Sequence, residues 1–149
     1  MIVRFFMILL MIFPVAASAQ QSHHLPDTIS QKIIREECNE RIFTRVENIP
    51  ALTVAGEVFE DSLRTFLKGK KALTDNQEII FSFIVTTNSK ILEIKKVSGE
   101  FRNEDLAREA ILHFSHLWTP AVQNGHKVCA YVTLEIKITD KQVHTSIRQ

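Results

Sequence analysis

Two stretches of the chain place apolar residues at the spacing of an α-helix. The first runs from Val58 to Leu67, has charged residues on its opposite side and is predicted to end at Gly69. The second begins after Asn103, an N-cap residue followed by two acidic residues, and is predicted to end at Trp118-Thr119-Pro120. The apolar stripe of this second helix consists of Leu106, Ala107, Ala110, Ile111, Phe114 and Leu117. Each helix is amphipathic and must therefore pack one face against another layer.

Three other stretches carry the pattern of β-strands. Residues Glu78–Thr86 are rich in β-branched and aromatic side chains and apolar on both faces, which is typical of a central strand. The turn residues Thr87–Lys90 follow, and Ile91–Val97 resumes an extended pattern, so a β-hairpin is predicted. The third strand has the clearest alternation, with one apolar face formed by Val128, Ala130, Val132, Leu134, Ile136 and Ile138.

The order of these elements, α-β-β-α-β, predicts an α+β fold in which a three-stranded antiparallel sheet is covered on one face by two helices. With the first strand at the centre of the sheet, the third strand becomes a long free edge. An exposed edge presents unpaired N–H and C=O groups to an extended partner, so it is either protected or used for binding.

The chain begins like an exported protein. Met1–Ala19 contains a single Arg, an apolar run from Phe5 and an Ala-Ser-Ala end, which together are typical of a secretory signal peptide cleaved after Ala19. The alternative is a retained membrane anchor at residues 5–17, although this run is shorter than the ~20 residues that a spanning helix needs. Residues 20–41 are then predicted to be a mobile lead-in with a short helical piece around Ile29, Ile33 and Ile34. Residues 42–139 are predicted to be the folded domain and residues 140–149 a frayed tail.

The composition and the absence of known motifs argue against nucleic-acid binding, enzyme activity and a metal site. The 149 residues include 18 Lys and Arg against 17 Asp and Glu, so the chain lacks the basic field that holds nucleic acid. No nucleophile-elbow, phosphate-loop or zinc-protease motif occurs, and we expect no enzyme activity, cofactor or small-molecule substrate. His113, His116 and His126 could in principle meet at a metal ion. Since metal sites usually add a carboxylate or Cys at a suitable spacing, we expect solvated histidines and no metal.

Cys38 and Cys129 are the two cysteines of the chain. Export to an oxidising compartment favours a disulfide between them, which would close a loop of about 90 residues and contribute roughly 4 kcal/mol. The alternative is two separate buried thiols. The sequence does not decide between them, because a disulfide requires a short Cα–Cα distance and the sequence does not give that distance.

A cluster between the second helix and the third strand resembles a known family. The run Trp118–Val128 reads Trp-Thr-Pro-Ala-Val-Gln-Asn-Gly-His-Lys-Val and is similar to the C-terminal domain of TonB-type energy transducers. Phe81–Val85 with Ile91–Lys95 resembles that family's first hairpin, and Val46–Pro50 resembles its Val-Glu-x-x-Pro lead-in. The resemblance covers roughly residues 42–138.

The resemblance implies a periplasmic domain of a double-membraned bacterium that binds an extended segment of an outer-membrane transporter or receptor by strand addition. The implied binding edge is the third strand, at residues Val128, Cys129, Ala130, Tyr131, Val132, Thr133, Leu134, Glu135 and Ile136. The motif residues are expected to be structural, as a core ring, a helix stop and a turn; they are Trp118, Pro120, Asn124 and Gly125.

Two departures from the family leave three hypotheses. Members that transmit force have an uncleaved membrane helix and a long Pro-rich spacer, whereas this chain has a cleavable-looking signal and little spacer. The first hypothesis is a stand-alone exported adaptor. The second is an anchored energy transducer, if residues 5–17 are retained. The third is a small structural module that forms a homodimer edge to edge.

Overall fold

A computed structural model describes residues 27–39, 41–74 and 76–149. The predicted signal peptide, residues 1–19, and the first part of the predicted lead-in lie outside the described residues. The elements in chain order are α1 (Asp27–Cys38), β1 (Ile42–Phe43), β2 (Ala51–Leu52), α2 (Gly56–Gly69), β3 (Gln77–Val85), β4 (Ile91–Glu100), α3 (Glu104–His113), a 3₁₀ turn (Ser115–Leu117), β5 (Trp118–Thr119), β6 (Ala121–Gln123), β7 (His126–Thr139) and β8 (Gln142–Arg148). The predicted α+β class is confirmed.

The two predicted amphipathic helices are present as α2 and α3. Phe59, Leu63 and Leu67 form the buried stripe of α2. The side chain of Asn103 caps α3 by accepting a hydrogen bond from the N–H of Leu106 at 3.1 Å, as its position predicted. Both helices therefore follow the local apolar pattern of the sequence, but α3 is shorter than predicted: it ends at His113, and Leu117 reaches the core from the 3₁₀ turn that follows.

The predicted hairpin is present as β3 and β4, and β3 lies between β4 and β7 in the sheet. β3 pairs with β7 from Gln77 opposite Ile138 to Val85 opposite Ala130. Alternate residues of both strands point toward α2 and α3 and form the main core; those of β3 are Ile79, Phe81, Phe83 and Val85, and those of β7 are Val132, Leu134, Ile136 and Ile138. The core thus lies between one sheet face and two helices.

The sheet contains more strands than the three that were predicted. Over the residues that the structure describes, the main sheet has six strands, because β1, β6 and β8 also pair with β7. β8 occupies residues that were predicted to fray, and it pairs with β7 from Thr133 opposite Arg148 to Thr139 opposite Gln142. Its alternation explains this outcome, since Val143 is buried against the core and Ile147 packs beside it.

In the described part of the predicted mobile lead-in, the short helical piece is present, but it is held against the sheet and is not mobile. Residues Asp27–Cys38 form helix α1, and Cys38 is bonded to Cys129 of β7, with a Cα–Cα distance of 5.5 Å. The two cysteines are therefore paired rather than separate thiols. Around them lies a second, smaller apolar cluster on the sheet face opposite α2 and α3, which contains Ile34, Ile42, Ile84, Leu92 and Tyr131. The disulfide and this cluster fix α1 to the centre of the sheet.

Candidate functional site

The predicted binding edge on β7 is covered. β3 pairs with one side of β7, and the other side pairs in parallel with β1 at Cys129–Ala130 and in antiparallel with β8 from Thr133 onward. β6 pairs with the first residues of β7 through a hairpin. Ala130 and Thr133–Ile136 therefore have a paired strand on both sides, so the prediction of one long free edge along Val128–Ile136 was wrong. The physical reason is the apolar face of β8, which is buried only when β8 lies beside β7.

Among the described strands that pair with β7 on this side, β8 has the longest outer edge, with 7 residues against 2 in β1 and 3 in β6. The backbone N–H of Thr145 donates to Oε1 of Glu60 at 2.5 Å, so this N–H points away from β7. Successive residues of an antiparallel strand direct their backbone groups to alternate sides. Val143 and Ile147, two residues before and after Thr145, therefore also point their N–H and C=O groups outward. Within the described ranges, β8 pairs with no strand other than β7.

Helix α2 runs beside this edge and contributes charged side chains to it. Glu60 accepts a second hydrogen bond, from Oγ1 of Thr145 at 3.1 Å. Arg64 lies one turn further along α2, pairs with Asp61 at 2.7 Å and reaches Oε1 of Gln142 at 3.4 Å. The β8 edge is thus bordered by a helix that supplies both an acceptor and a donor.

The opposite edge of the sheet is β4, and it is irregular. The register between β3 and β4 shifts twice, and Glu93 and Gly99 have φ angles of 52° and 91°. The guanidinium of Arg108, on α3, donates to the carbonyl oxygen of Ile94. Such bulges bend an edge strand and interrupt the row of groups that a new strand would need.

Arg108 also belongs to a charged group beside β4. Glu104 pairs with Arg108 at 2.8 Å and with Lys96 at 3.1 Å. Burial raises the pKa of Glu104, but the hydrogen bonds from Arg108 and Lys96 together outweigh it and hold the pKa below its ordinary value. The ionised carboxylate therefore helps to hold α3 against the β4 side of the sheet.

A second carboxylate, Glu37, fixes the end of α1 to the turn between β3 and β4. It forms an ion pair with Lys90, and its backbone carbonyl accepts from Oγ1 of Thr87 at 3.1 Å. Burial raises the pKa of Glu37, whereas hydrogen bonds from Lys90, Thr86 and Asn88 lower it to a value below the ordinary one.

The four motif residues lie at the junction of the second helix and β7. The ring of Trp118 is buried and packs edge to face on Phe83, with ring centroids 5.1 Å apart. Pro120 separates β5 from β6. Asn124 and Gly125 have φ angles of 51° and 76° and form the turn before β7, where the N–H of Asn124 donates to Oε2 of Glu47 at 3.0 Å. These placements confirm a core ring and a turn, but the expected helix stop at Pro120 was wrong, because α3 already ends at His113 and Pro120 lies between two short strands.

The three histidines considered for a metal occupy different surroundings. His113 stacks against Phe66 with a centroid distance of 5.1 Å, while His126 begins β7 beyond the Asn124-Gly125 turn. In the part of the chain that the structure describes, no three His, Cys, Asp or Glu side chains are grouped closely enough to hold a metal.

None of the described helices combines the length and apolar character needed to cross a membrane.

The sequence pattern missed β8 and its contact with Glu60. The signal for β8 was the alternation of Val143, Thr145 and Ile147 with polar residues after the turn Asp140-Lys141. Both turn residues have positive φ, 52° and 58°, as a two-residue hairpin turn requires. Glu60 and Thr145 are 85 residues apart, so no local pattern predicts their contact.

Comparison with protein-family models, with curated proteins and with solved structures found no match. The resemblance to the C-terminal domain of TonB-type transducers therefore stays a prediction from the quoted residues.

Proposed function

We propose that this protein is an exported, non-enzymatic interaction domain that binds an extended segment of a second envelope protein by adding it as a strand. The resemblance favours a segment of an outer-membrane transport receptor as the partner. The observation that carries the proposal is the outer edge of β8, where Val143, Thr145 and Ile147 direct backbone groups away from the sheet. A visiting strand gains affinity from such groups and specificity from its alternate side chains.

The β8 edge suits strand addition better than the β4 edge. β8 pairs with β7 in continuous register, so its outward groups recur at a regular spacing. β4 has two register shifts, and its Ile94 carbonyl is already bound by Arg108. The resemblance implied that β7 is the binding edge, whereas we propose that the neighbouring strand β8 is.

A proline substitution tests this edge directly. In Ile147→Pro the outward N–H is lost, but the ladder to β7 keeps its donors, since a proline is tolerated where an N–H faces away from the sheet. Ile147→Ala is the matched control, because it removes most of the side chain and keeps the N–H. A photocrosslinker at the exposed Ser146 should capture a defined segment of an envelope receptor with the wild type and with Ile147→Ala, but much less with Ile147→Pro. Equal capture by both variants, or no defined segment, would contradict the proposal.

We also propose that the protein acts in the periplasm after cleavage at Ala19. The disulfide between Cys38 and Cys129 supports an oxidising compartment. N-terminal sequencing of the exported protein should give Gln20 as the first residue. A first residue upstream of Phe5 would instead favour the anchored energy transducer.

A further inference from the structure

The carboxylate of Glu60 stands where a visiting strand would place a carbonyl oxygen. It accepts the outward N–H of Thr145 at 2.5 Å and the hydroxyl of the same residue at 3.1 Å. In an added antiparallel strand, that N–H would donate to a backbone carbonyl of the visitor. Glu60 therefore satisfies this donor in the unbound protein and must move aside when a strand is added.

A displaced Glu60 loses its hydrogen bonds to Thr145 and keeps its charge beside the β8 edge. Arg64, one turn along α2, is already paired with Asp61 at 2.7 Å. A visitor residue directly opposite Thr145 would have its side chain on the same face of the sheet as Thr145, which is the face that carries α2. Its side chain would therefore lie beside Glu60.

We infer that the captured segment carries a Lys or Arg opposite Thr145, and that this residue pairs with Glu60 once the visitor's carbonyl has replaced it. An acidic residue at the same position would meet the like charge of Glu60 and would be rejected. This inference rests on the proposed function and assigns to Glu60 the choice of partner by charge.

The test is a selection of random nonapeptides displayed on phage against the full exported chain with its disulfide formed. The targets are the wild type, Glu60→Lys and Glu57→Lys. Glu57 is exposed and lies in the first turn of α2, three residues before Glu60, so its substitution makes the same charge change on the same helix and serves as the matched control. Wild type and Glu57→Lys should both enrich a basic residue at one fixed position of the peptides. Glu60→Lys should enrich an acidic residue at that position.

Affinity measurements with resynthesised peptides make the result quantitative. We expect a selected peptide with Lys at the fixed position to bind the wild type at least tenfold more tightly than its Glu counterpart, and we expect the order to reverse for Glu60→Lys. Glu60→Gln, which keeps a hydrogen-bond acceptor, should bind both peptides within threefold of each other. If Glu60→Lys does not fold, this neutral variant still tests whether the charge of Glu60 causes the preference for Lys over Glu in the peptide.

The two proposals fail in different ways. Peptides that bind, lose affinity with Ile147→Pro and show no charge preference that depends on Glu60 would overturn the inference and leave strand addition in place. If no peptide is enriched, or if the enriched peptides bind Ile147→Pro and Ile147→Ala equally, strand addition at β8 is wrong and the role of Glu60 falls with it.

Discussion

β8 and β4, two outer strands on opposite sides of the sheet, are each contacted by a helix side chain, but in opposite ways. At β8 the carboxylate of Glu60 accepts an outward N–H, whereas at β4 the guanidinium of Arg108 donates to the C=O of Ile94. β8 is regular along its whole length, while β4 is interrupted by two register shifts and by Gly99 at positive φ. Bulges close an edge permanently, and a side chain closes it reversibly.

A strand edge can therefore be protected in the unbound protein and still be available for binding. A side chain on a helix can rotate away at the cost of a hydrogen bond, and the row of backbone groups behind it is then complete. A bulge has no such alternative, because the strand itself is bent. β8 is consequently the edge that can be opened, and β4 is the edge that stays closed.

Loss of the disulfide should have the largest effect and should weaken both edges equally. The bond joins residues 91 apart in sequence, so Cys38→Ala with Cys129→Ala should lower the free energy of unfolding by about 4 kcal/mol in the chain-entropy model. Urea denaturation measures this loss, and hydrogen exchange compares β4 with β8. A loss below about 1 kcal/mol, or one confined to a single edge, would contradict the central position of this bond.

Gly99→Ala should destabilise the protein at strand β4. An added Cβ would lie 2.4 Å from the carbonyl oxygen of Glu78, and the φ of 91° disfavours any other residue. The clash with backbone and the strain together predict a loss of about 3 kcal/mol in the free energy of unfolding. Gly69→Ala is the control, because nothing lies within 4 Å of its added Cβ. Equal stability of the two variants in urea would show that the bend in β4 is not fixed by Gly99.

Two valines allow a direct comparison of the two edges. Val143 on β8 is 4% exposed and Val97 on β4 is 59% exposed. Val143→Ala should cost about 2 kcal/mol of unfolding free energy through lost burial and a small cavity. Val97→Ala should change it by less than about 0.5 kcal/mol. Thermal and urea unfolding measure both; similar losses in the two variants would mean that β8 is not packed on the core as described.

The parts of the fold that the sequence predicted are those with a local cause. The stripe of α2, the cap at Asn103 and the β3–β4 hairpin all depend on residues close in the chain, where spacing and turn chemistry decide the structure. The alternation in β7 likewise predicted which face is buried, since Val132 and Leu134 lie in the core and Glu135 does not.

The position of β7 in the sheet could not be predicted in the same way. Whether a strand is an edge depends on what pairs with it, and β8 was hidden because its turn, Asp140-Lys141, lacks the usual Gly or Asn. The contact between Glu60 and Thr145 depends on how α2 lies against β8, which is a property of the packed layers. The candidate site at the β8 edge could therefore be identified only from the three-dimensional structure.

Substitution of the two protecting side chains should have a smaller effect on stability and a different effect on association. Glu60→Ala and Arg108→Ala should each lower the free energy of unfolding by about 1 kcal/mol, since each removes two charge-assisted hydrogen bonds at a partly exposed site, where solvent weakens them. Glu60→Ala should also increase self-association, because it uncovers the regular β8 edge. Arg108→Ala should not, because the bulges of β4 remain. Sedimentation velocity distinguishes them, and equal self-association of both variants would contradict the comparison.

Acid should have the smallest effect, and it should act on the β4 side of the sheet. The hydrogen bonds from Arg108 and Lys96 outweigh burial and lower the pKa of Glu104 below 4.5, and those from Lys90 do the same for Glu37. A lowered pKa in the folded state means that the ionised form stabilises the fold above pH 4.5. This contribution is lost as the pH falls below 4.5 and through the folded-state pKa.

We therefore expect the unfolding free energy to decline below pH 4.5, with faster hydrogen exchange in β4 than in β8. Glu104→Gln with Glu37→Gln should lower stability at neutral pH and make the decline below pH 4.5 less steep, because neither side chain of the variant loses a charge. Urea denaturation at a series of pH values measures the slope. A slope that stays as steep in the double variant would show that these two carboxylates do not cause the acid sensitivity. Faster exchange in β8 than in β4 would place the acid-sensitive contacts at the other edge.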